Sequence, residues 1–265
     1  MISCSIENKS EKLWNNENKI WKNLFTEEKY FTFDESTNTI TDYDFMYWPK
    51  NVFIPKNINW KKVEKIWTWA FKNNNITNLV IPDTVTFIWK YAFEKNQLTN
   101  VVIPDSVSHI WDGAFYWNKL TNVVIPNRIN YLWGHSFENN KLKNVVIPNS
   151  ITNILIGTFK NNQLTNIVIP DNIISLWHNA FDFNNLENII IPENINYIWS
   201  NTFLRNKLIN IVILSNNINI IKGAFWIQEE SKWNWTITFW SNKLRDKYFH
   251  PKYIDVTKII NVVVK

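Results

Sequence analysis

Glycine is scarce in this chain. Only 4 of its 265 residues are glycine, whereas 16 are tryptophan. Ordinary proteins contain about 7% glycine, so the two residue types have exchanged their usual abundances. Cysteine is scarcer still, because Cys4 is the only one, and a single cysteine excludes an internal disulfide bond. Cysteine usage therefore leaves the redox compartment of the protein open.

Long apolar runs are also missing. No segment approaches the ~20 apolar residues that a transmembrane helix needs, and the first ten residues, MISCSIENKS, lack the apolar core of a secretory signal. The formal net charge is +5, but the lysines are scattered and form no dense basic run that would indicate a nucleic-acid partner. We predict no membrane span and no nucleic-acid binding, and the localisation and the oligomeric state stay undecided.

Motifs for catalysis, cofactors and metals are absent as well. The chain has no G-x-S-x-G elbow, phosphate loop or dinucleotide fingerprint. No histidine has a second histidine or a cysteine at metal-ligand spacing, which argues against a zinc site. Four acidic residues that follow prolines could offer oxygen ligands to calcium, but turn formation is the favoured interpretation. We predict no enzyme activity, no catalytic residue, no cofactor and no metal site. The histidines are His109, His135, His178 and His250, and the acidic residues are Asp83, Asp105, Asp171 and Glu193.

What the chain has in abundance is a repeat of 22 residues. Proline keeps this step from Pro82 to Pro192, and Leu214 takes the next proline position. A fixed period in the twenties is typical of a solenoid, in which each unit is too small to bury its own apolar face and stacked neighbours share one core. The same step separates the large core candidates Phe71, Phe93, Phe115, Phe137, Phe159, Phe181, Phe203 and Phe225.

The unit is well represented by LTNVVIPDSVSHIWDGAF, residues 98–115. Its β-branched run predicts a strand, in which Val101 and Ile103 face the core and Val102 faces outward. Proline ends the strand because it has no N–H to donate. Two asparagine columns are predicted to satisfy backbone groups at successive corners. They are Asn74, Asn96, Asn118, Asn140, Asn162, Asn184 and Asn206, and Asn78, Asn100, Asn122, Asn144, Asn166, Asn188 and Asn210.

The motif L-x-x-V-x-I-P-x-x-V-x-x-I-G-x-x-A-F, which residues 39–229 carry with drift, resembles the BspA-like class of bacterial leucine-rich repeats. The resemblance implies a leucine-rich-repeat solenoid with 22-residue repeats, mostly β with short helical turns. It also implies a surface-associated protein that binds other macromolecules, with a non-enzymatic repeat region. Cell-surface or secreted localisation follows from the resemblance alone, since no signal peptide is visible.

Three parts are expected along the chain. Residues 1–38 form a polar segment and the start of a capping hairpin, residues 39–229 form the solenoid, and residues 230–265 form a strand-containing flank. Leu13, Ile20 and Leu24 have the spacing of a short amphipathic helix. The hairpin pairs residues 30–33 with 39–43, and the first repeat is irregular, with a protruding corner at residues 59–63. Strands are predicted at residues 236–239 and 256–264.

Tryptophan replaces the family glycine in several columns. Trp60 and Trp69 stand at expected glycine positions, and the Trp69 column also contains Gly113, Gly157 and Gly223. Because these columns share only their family glycine, we hypothesise that many tryptophans are glycine in the native protein, through a genetic code in which UGA specifies glycine. The alternative is a genuine tryptophan stack built for binding, in which Trp89, Trp111 and Trp133 stack at one glycine-like corner and point outward. The column after the second isoleucine contains Trp67, Trp89, Trp111, Trp133, Trp177 and Trp199, with Leu155 and Ile221 in the remaining places.

The outward strand column is the candidate binding surface. Strands stack ~4.8 Å apart, so seven positions make an apolar stripe roughly 30 Å long. The alternative is that β-branched residues merely suit strand geometry. We predict a non-enzymatic protein-binding or adhesion module that contacts a protein or a host or cell-surface macromolecule through this face. A carbohydrate-binding module that uses the tryptophan stack and an intracellular interaction scaffold are the alternatives. The stripe consists of Val80, Val102, Val124, Val146, Val168, Ile190 and Val212.

Overall fold

The computed structural model describes residues 27–44, 50–225, 235–239 and 259–264. The helix expected between Leu13 and Leu24 lies outside these residues. The described chain forms one 3-10 helix, Glu28–Tyr30, and a series of short strands. They are β1 (Phe31–Asp34), β2 (Thr39–Tyr43), β3 (Asn51–Phe53), β4 (Asn57–Ile58), β5 (Lys61–Lys62), β6 (Lys65–Ile66), β7 (Asn78–Val80), β8 (Phe87–Ile88), β9 (His109–Ile110), β10 (Tyr131–Leu132), β11 (Asn153–Ile154), β12 (Ser175–Leu176), β13 (Asn188–Ile191), β14 (Tyr197–Ile198), β15 (Asn210–Ile213), β16 (Asn219–Ile220), β17 (Trp235–Phe239) and β18 (Ile259–Val264).

The repeat builds two parallel ladders, which confirms the predicted solenoid. The first ladder consists of two-residue strands: β6, β8, β9 and β10 continue the amino-terminal sheet, and β11, β12, β14 and β16 form a second sheet. Its partners are 22 residues apart, as in the pairing of Ile88 with Ile110. The second ladder contains β3 with β7, and β13, β15, β17 and β18. Each 22-residue unit is therefore one coil, and the coils pair through their backbones.

The predicted strand at Val101–Ile103 is reduced in the middle coils to single β-bridges, which join Val102 to its counterparts in the coils before and after. The predicted alternation is nevertheless confirmed. Val101 and Ile103 are 6% and 4% exposed, whereas Val102 is 76% exposed. The first ladder, represented here by His109–Ile110, was not predicted. Its sequence signal is a β-branched or other apolar residue directly before the tryptophan column.

The phenylalanine column fills the centre of the solenoid. All eight side chains, from Phe71 to Phe225, are fully buried. Neighbouring rings stack from coil to coil, with centroids 5.1 Å apart at the first pair, Phe71 and Phe93, and 6.0 Å apart at Phe137 and Phe159. Each coil therefore contributes one ring to a continuous core. A single unit could not bury its own ring, because the neighbouring coils cover both faces.

The buried asparagine column satisfies the backbone at one corner, as predicted. The Asn140 side-chain amide donates to the carbonyl groups of Phe115 and Phe137 at 3.0 and 3.1 Å. Its oxygen accepts from the backbone N–H of Leu120 at 3.0 Å. Such a side chain closes the corner and ties adjacent coils together, because its partners belong to both. The same pattern occurs at Asn96, Asn118, Asn162, Asn184 and Asn206.

The prediction for the second asparagine column is wrong. These side chains are exposed from Asn78 to Asn210. Asn78 donates to the side-chain oxygen of Asn51 at 2.5 Å, and Asn210 donates to that of Asn188 at 2.6 Å. Their backbone lies in or beside the second ladder, which already pairs the peptide groups, so the amides bond to one another across coils instead.

The predicted hairpin closes the amino-terminal side of the solenoid. Strands β1 and β2 pair antiparallel, and β2 pairs parallel with β6 of the first ladder. The Tyr43 ring stacks on Phe71 at 5.1 Å and so covers the first ring of the core column. The protruding corner is a second hairpin, in which β4 and β5 are joined by Asn59 and Trp60. On the other side, β17 and β18 extend the second ladder past β15.

Candidate binding surface

The valine stripe predicted from the sequence is an exposed row on the second ladder. Parallel bridges connect its first four members in register, from Val80 to Val146. Ile190 and Val212 pair in the same way within β13 and β15. Val168, which comes between Val146 and Ile190 in the row, lies outside any strand and is the most exposed member at 82%. Val212 is half-buried. The seven residues thus lie in one line of coils, with the most exposed part in the middle.

The stripe has a polar border with little charge on one side, whereas the corner on its other side carries the exposed acids Asp83, Asp105, Asp171 and Glu193. The neighbouring column, one residue before each ladder asparagine, is mainly threonine, and it includes the exposed Lys143 and Glu187. Threonine hydroxyls here bond along the solenoid, since Thr121 donates to the carbonyl of Thr99 at 3.4 Å. The stripe is therefore an exposed apolar row with hydroxyl groups along one side and carboxylates along part of the other.

The first ladder carries an aromatic face. The sequence predicted its tryptophan column but not the second row of rings beside it. Trp89, Trp111 and Trp133 stack with centroids 4.9 Å apart and interplanar angles of 12° and 6°. Beside them the ring of His109 stacks between those of Phe87 and Tyr131, at 4.3 and 4.8 Å. The expectation that these tryptophans point outward is met in part. Trp133 is 37% exposed, whereas Trp89 and Trp111 are half-buried.

A row of acidic side chains lies buried beneath the turn that follows the phenylalanine column. Glu94 is bound by Lys72 at 2.9 Å, and Arg205 forms two hydrogen bonds with Asp182 at 2.7 and 3.1 Å. Burial raises the pKa of Asp182, although the guanidinium opposes that change. Each buried carboxylate in this row has its cation, so the row stabilises the turns and offers no free charge to a ligand.

The third member of that row is Glu138, which is bound by His135. The Glu138 carboxylate lies 2.5 Å from Nδ1 of His135 and 3.5 Å from Nζ of Lys160. The hydrogen bond to Glu138 raises the pKa of His135, while burial opposes the rise and Asp112 adds to it. His109 is different, because burial lowers its pKa and its ring is stacked between aromatic rings. The two imidazoles are thus parts of local packing.

No metal-binding cluster stands out in the described part of the chain. Groups of three or more His, Cys, Asp or Glu that could hold an ion are absent there. His178 contacts the hydroxyl of Ser200 at 2.6 Å, and Asp83 of the acidic column pairs with Lys56 at 2.8 Å. His250 lies outside the described residues. Among the described residues, no helix is long and apolar enough to cross a membrane.

Comparison with known families decides the identity of the repeat. The model of the BspA type leucine rich repeat region matches residues 17–140 and 108–232, in six copies. The chain belongs to the BspA-type leucine-rich-repeat family. The leucine-rich-repeat fold is in general non-catalytic and commonly mediates protein interactions. A search of the curated proteins finds no match to this BspA-type protein.

Two solved structures share the fold of this BspA-type protein. A leucine-rich repeat protein from Bacteroides ovatus is 17% identical, with a TM-score of 0.58 over 86% of this chain and 64% of the other. The pneumococcal vaccine antigen PcpA is 18% identical, with a TM-score of 0.58 over 78% of this chain and 61% of the antigen. The chain therefore spans less than two-thirds of the length of either protein.

The family glycine positions fall into two conformational classes in this BspA-type chain. In the column after the second isoleucine the backbone has no positive φ, and the Trp111 N–H donates to the carbonyl of Ile88 at 2.9 Å. The expectation that this column is a glycine-like corner is therefore wrong, because the column continues a parallel ladder. In contrast, Trp60 and Trp69 both have φ of 65°, which is the left-handed region that favours glycine.

The left-handed class is itself periodic. The Trp69 column has positive φ in every coil, both at glycines such as Gly113 and at residues such as Tyr91 and His135. The large members lie over the small ones, since a Cβ built at Gly113 would be 2.2 Å from the Tyr91 ring. Burial raises the pKa of the Tyr91 phenol to about 12, helped by its hydrogen bond to Asp112. Glycine at 113 thus makes room for the ring of the preceding coil.

Proposed function

We propose that this BspA-type protein is a non-enzymatic protein-binding or adhesion module whose contact surface is the valine stripe. The observation that supports it is the exposure of a β-branched row in the middle of the solenoid. Val102, Val124 and Val146 are 76%, 75% and 76% exposed, in register along one parallel row. An isolated exposed valine is ordinary, but a contiguous apolar row is a feature of interaction surfaces.

Displacement of water would drive the binding of a partner to the valine row. An exposed apolar row gains free energy when a partner displaces water from it, at about 25 cal/mol per Å² of apolar area. Two pockets in the described part of the chain are both lined by residues outside this row. A protein surface of matching shape is therefore the proposed occupant, and the cell surface is the proposed location, as the family resemblance implies.

The experiment is partner capture with a charged stripe. Immobilised wild-type protein is compared with the double variant Val124→Lys/Val146→Lys against extracts and surface proteins of the native environment. Both positions are exposed, so the lysines leave the core intact and strand propensity falls only modestly. We expect the partners held by the wild-type chain to be lost, because two buried charges in an apolar contact are costly.

The matched control is Asn130→Lys/Thr152→Lys. These exposed residues lie in the same two coils, six residues after the stripe positions, so they add the same charge away from the stripe. Partners should be retained by this control. Retention by both variants would remove the stripe from consideration, and loss in both would point to a general effect of charge.

The tryptophan stack gives poor support to the carbohydrate alternative. A sugar ring packs on an exposed aromatic face, and the faces of Trp89 and Trp111 are covered by the rings of the neighbouring coils at 4.9 to 5.0 Å. The indole N–H groups of both are buried without a hydrogen-bond partner. The interior of the stack therefore presents edges to a ligand, and we do not assign it a carbohydrate function.

We also propose that the left-handed tryptophans are glycine in the native protein. Asn59 and Trp60 have φ of 49° and 65° and join β4 to β5 as a two-residue turn. Asn-Gly is the preferred pair for such a turn, because both central residues need positive φ. Trp60 is also 99% exposed, so its ring gains nothing from packing. The intact mass of protein purified from the native host would decide, since each Trp-to-Gly exchange lowers the mass by a fixed amount.

A further inference from the structure

A polar groove crosses the turns that follow the phenylalanine column. It has a volume of about 560 Å³ and is lined by seven asparagines, one glutamine, three lysines and one tryptophan from consecutive coils. No acidic residue lines it. The groove belongs to a different part of each coil than the valine stripe, and none of its lining residues takes part in the proposed protein contact.

The lining residues divide into structural and available amides. Asn96, Asn118 and Asn140 lie at the bottom, where their side chains are buried and bonded to backbone groups. The rim consists of exposed or half-buried residues, among them Asn75 and Gln97. The rim amides can both donate and accept hydrogen bonds, so they can bind the hydroxyl groups of a ligand.

The groove is positively charged, and two of its three lysines form no ion pair among the described residues. Lys119 and Lys141 are exposed, stand one coil apart in one column, and form no ion pair within the described residues. Lys95 lies 4.0 Å from the buried Glu94, which Lys72 already neutralises. The acids beneath the groove are therefore compensated, and the two free ammonium groups set its potential.

We infer that this groove binds an acidic polysaccharide, a chain of sugar rings that carries carboxylate or sulfate groups. Coils repeat every ~4.8 Å, so successive units of an extended polymer can contact successive coils, amides in the first two and lysines in the next two. Amides would bond its hydroxyls, and Lys119 and Lys141 would pair with its anionic groups. A single-stranded nucleic acid fits less well, because its bases need a series of aromatic platforms and the groove has one.

The test uses the full chain and defined polymers. Binding is measured by affinity electrophoresis and calorimetry with polygalacturonate, which carries carboxylates, and with heparin oligosaccharides, which carry sulfates. Fully methyl-esterified polygalacturonate is the uncharged control. We expect binding to at least one acidic polymer, weakening as salt is raised, with no binding to the ester. Whichever acidic polymer binds more tightly identifies the anionic group.

The variant Lys119→Gln/Lys141→Gln should bind that polymer about tenfold more weakly, because two exposed charge contacts are lost. Lys62→Gln/Lys90→Gln removes the same charge from exposed sites outside the groove and should bind like the wild type. Thermal melting checks that both variants are folded. Equal losses in the two variants, equal binding of the ester, tighter binding of single-stranded poly(dT), or no binding to either acidic polymer would each overturn the proposal.

Discussion

At Trp60 the glycine variant should be more stable than the alanine variant, whereas at Trp111 the alanine variant should be the more stable of the two. Both substitutions remove the indole, so the comparison of Gly with Ala at each site isolates the backbone. Trp60 has a φ of 65° in a two-residue turn, whereas Trp111 has no positive φ and donates its N–H to the ladder. The first site therefore favours glycine, and the second favours alanine.

The magnitudes follow from the two backbones. An L-residue in the left-handed region costs roughly 1–2 kcal/mol, which glycine avoids, while the greater freedom of glycine in the unfolded chain offsets about 0.4–1 kcal/mol. At residue 60 the glycine variant should thus be more stable than the alanine variant by about 0.5–1 kcal/mol. At residue 111, in extended backbone, glycine should be less stable than alanine by about 0.5–1 kcal/mol.

Loss of the ring gives a second contrast. Trp60 is 99% exposed, so removal of its ring should cost almost nothing. Trp111 stacks on two neighbours at 4.9 Å, and each aromatic pair contributes about 0.5–1.5 kcal/mol, so Trp111→Ala should cost about 1–3 kcal/mol. Removal of its buried, unpaired indole N–H offsets part of that loss.

Denaturant titrations of the four variants, followed by circular dichroism, give the free energies of unfolding. The denaturant slope must stay unchanged for the midpoints to be compared, because a changed slope signals a loss of cooperative unfolding. If glycine and alanine rank in the same order at both sites, then the assignment of left-handed and extended backbone to the two tryptophans is refuted. Trp60→Asn should lie near the glycine variant, since asparagine tolerates positive φ.

Phe137→Ala in the middle of the core column should cost about 3–5 kcal/mol through the cavity it leaves, and Phe225→Ala at the last coil should cost less in the same denaturation assay. Asn140→Asp should cost about 2–4 kcal/mol, because the new carboxylate cannot donate to two buried carbonyl groups, whereas the exposed Asn144→Asp should be neutral. The stabilising effect of His135, measured against His135→Asn, should be present below about pH 6.5 and decline as the pH rises through the raised pKa of the folded protein. Equal losses at the two phenylalanines or the two asparagines, or a His135 effect that grows with pH, would contradict these expectations.

The core could be predicted from the sequence because the period and the alternation act together. A 22-residue step aligned Phe115 with Phe137, and the strand alternation separated Val101 from Val102. Both rules depend only on the geometry of an extended chain that repeats, so they hold wherever the coils stack. The ladder of two-residue strands was missed because a segment as short as His109–Ile110 carries too little pattern to predict a strand.

The left-handed backbone was predicted only in part: Trp60 and Trp69 were marked as glycine positions, but most other left-handed residues were missed. Tyr91, Lys95 and Phe183 have positive φ, yet none belongs to the residue types that signal such backbone. The solenoid imposes the conformation, since every coil must turn at the same point and pair with its neighbours. Local preference is thereby overridden at these residues, whereas the glycines Gly113, Gly157 and Gly223 and the asparagines with positive φ agree with it. For the same reason, a family glycine does not prove a positive φ, as the Trp111 column shows.

The two proposed surfaces differ in how uniform their residues are from coil to coil. The valine stripe is nearly uniform from Val102 to Val168, and uniformity is also what strand geometry alone would produce. The groove column changes from coil to coil, with Asn75 and Gln97 followed by Lys119 and Lys141. Strand geometry does not select those side chains, so their clustering around a groove without acids requires another explanation. Because the surfaces share no residues, Val124→Lys/Val146→Lys should lose partner capture and keep polysaccharide binding. Lys119→Gln/Lys141→Gln should show the opposite pattern.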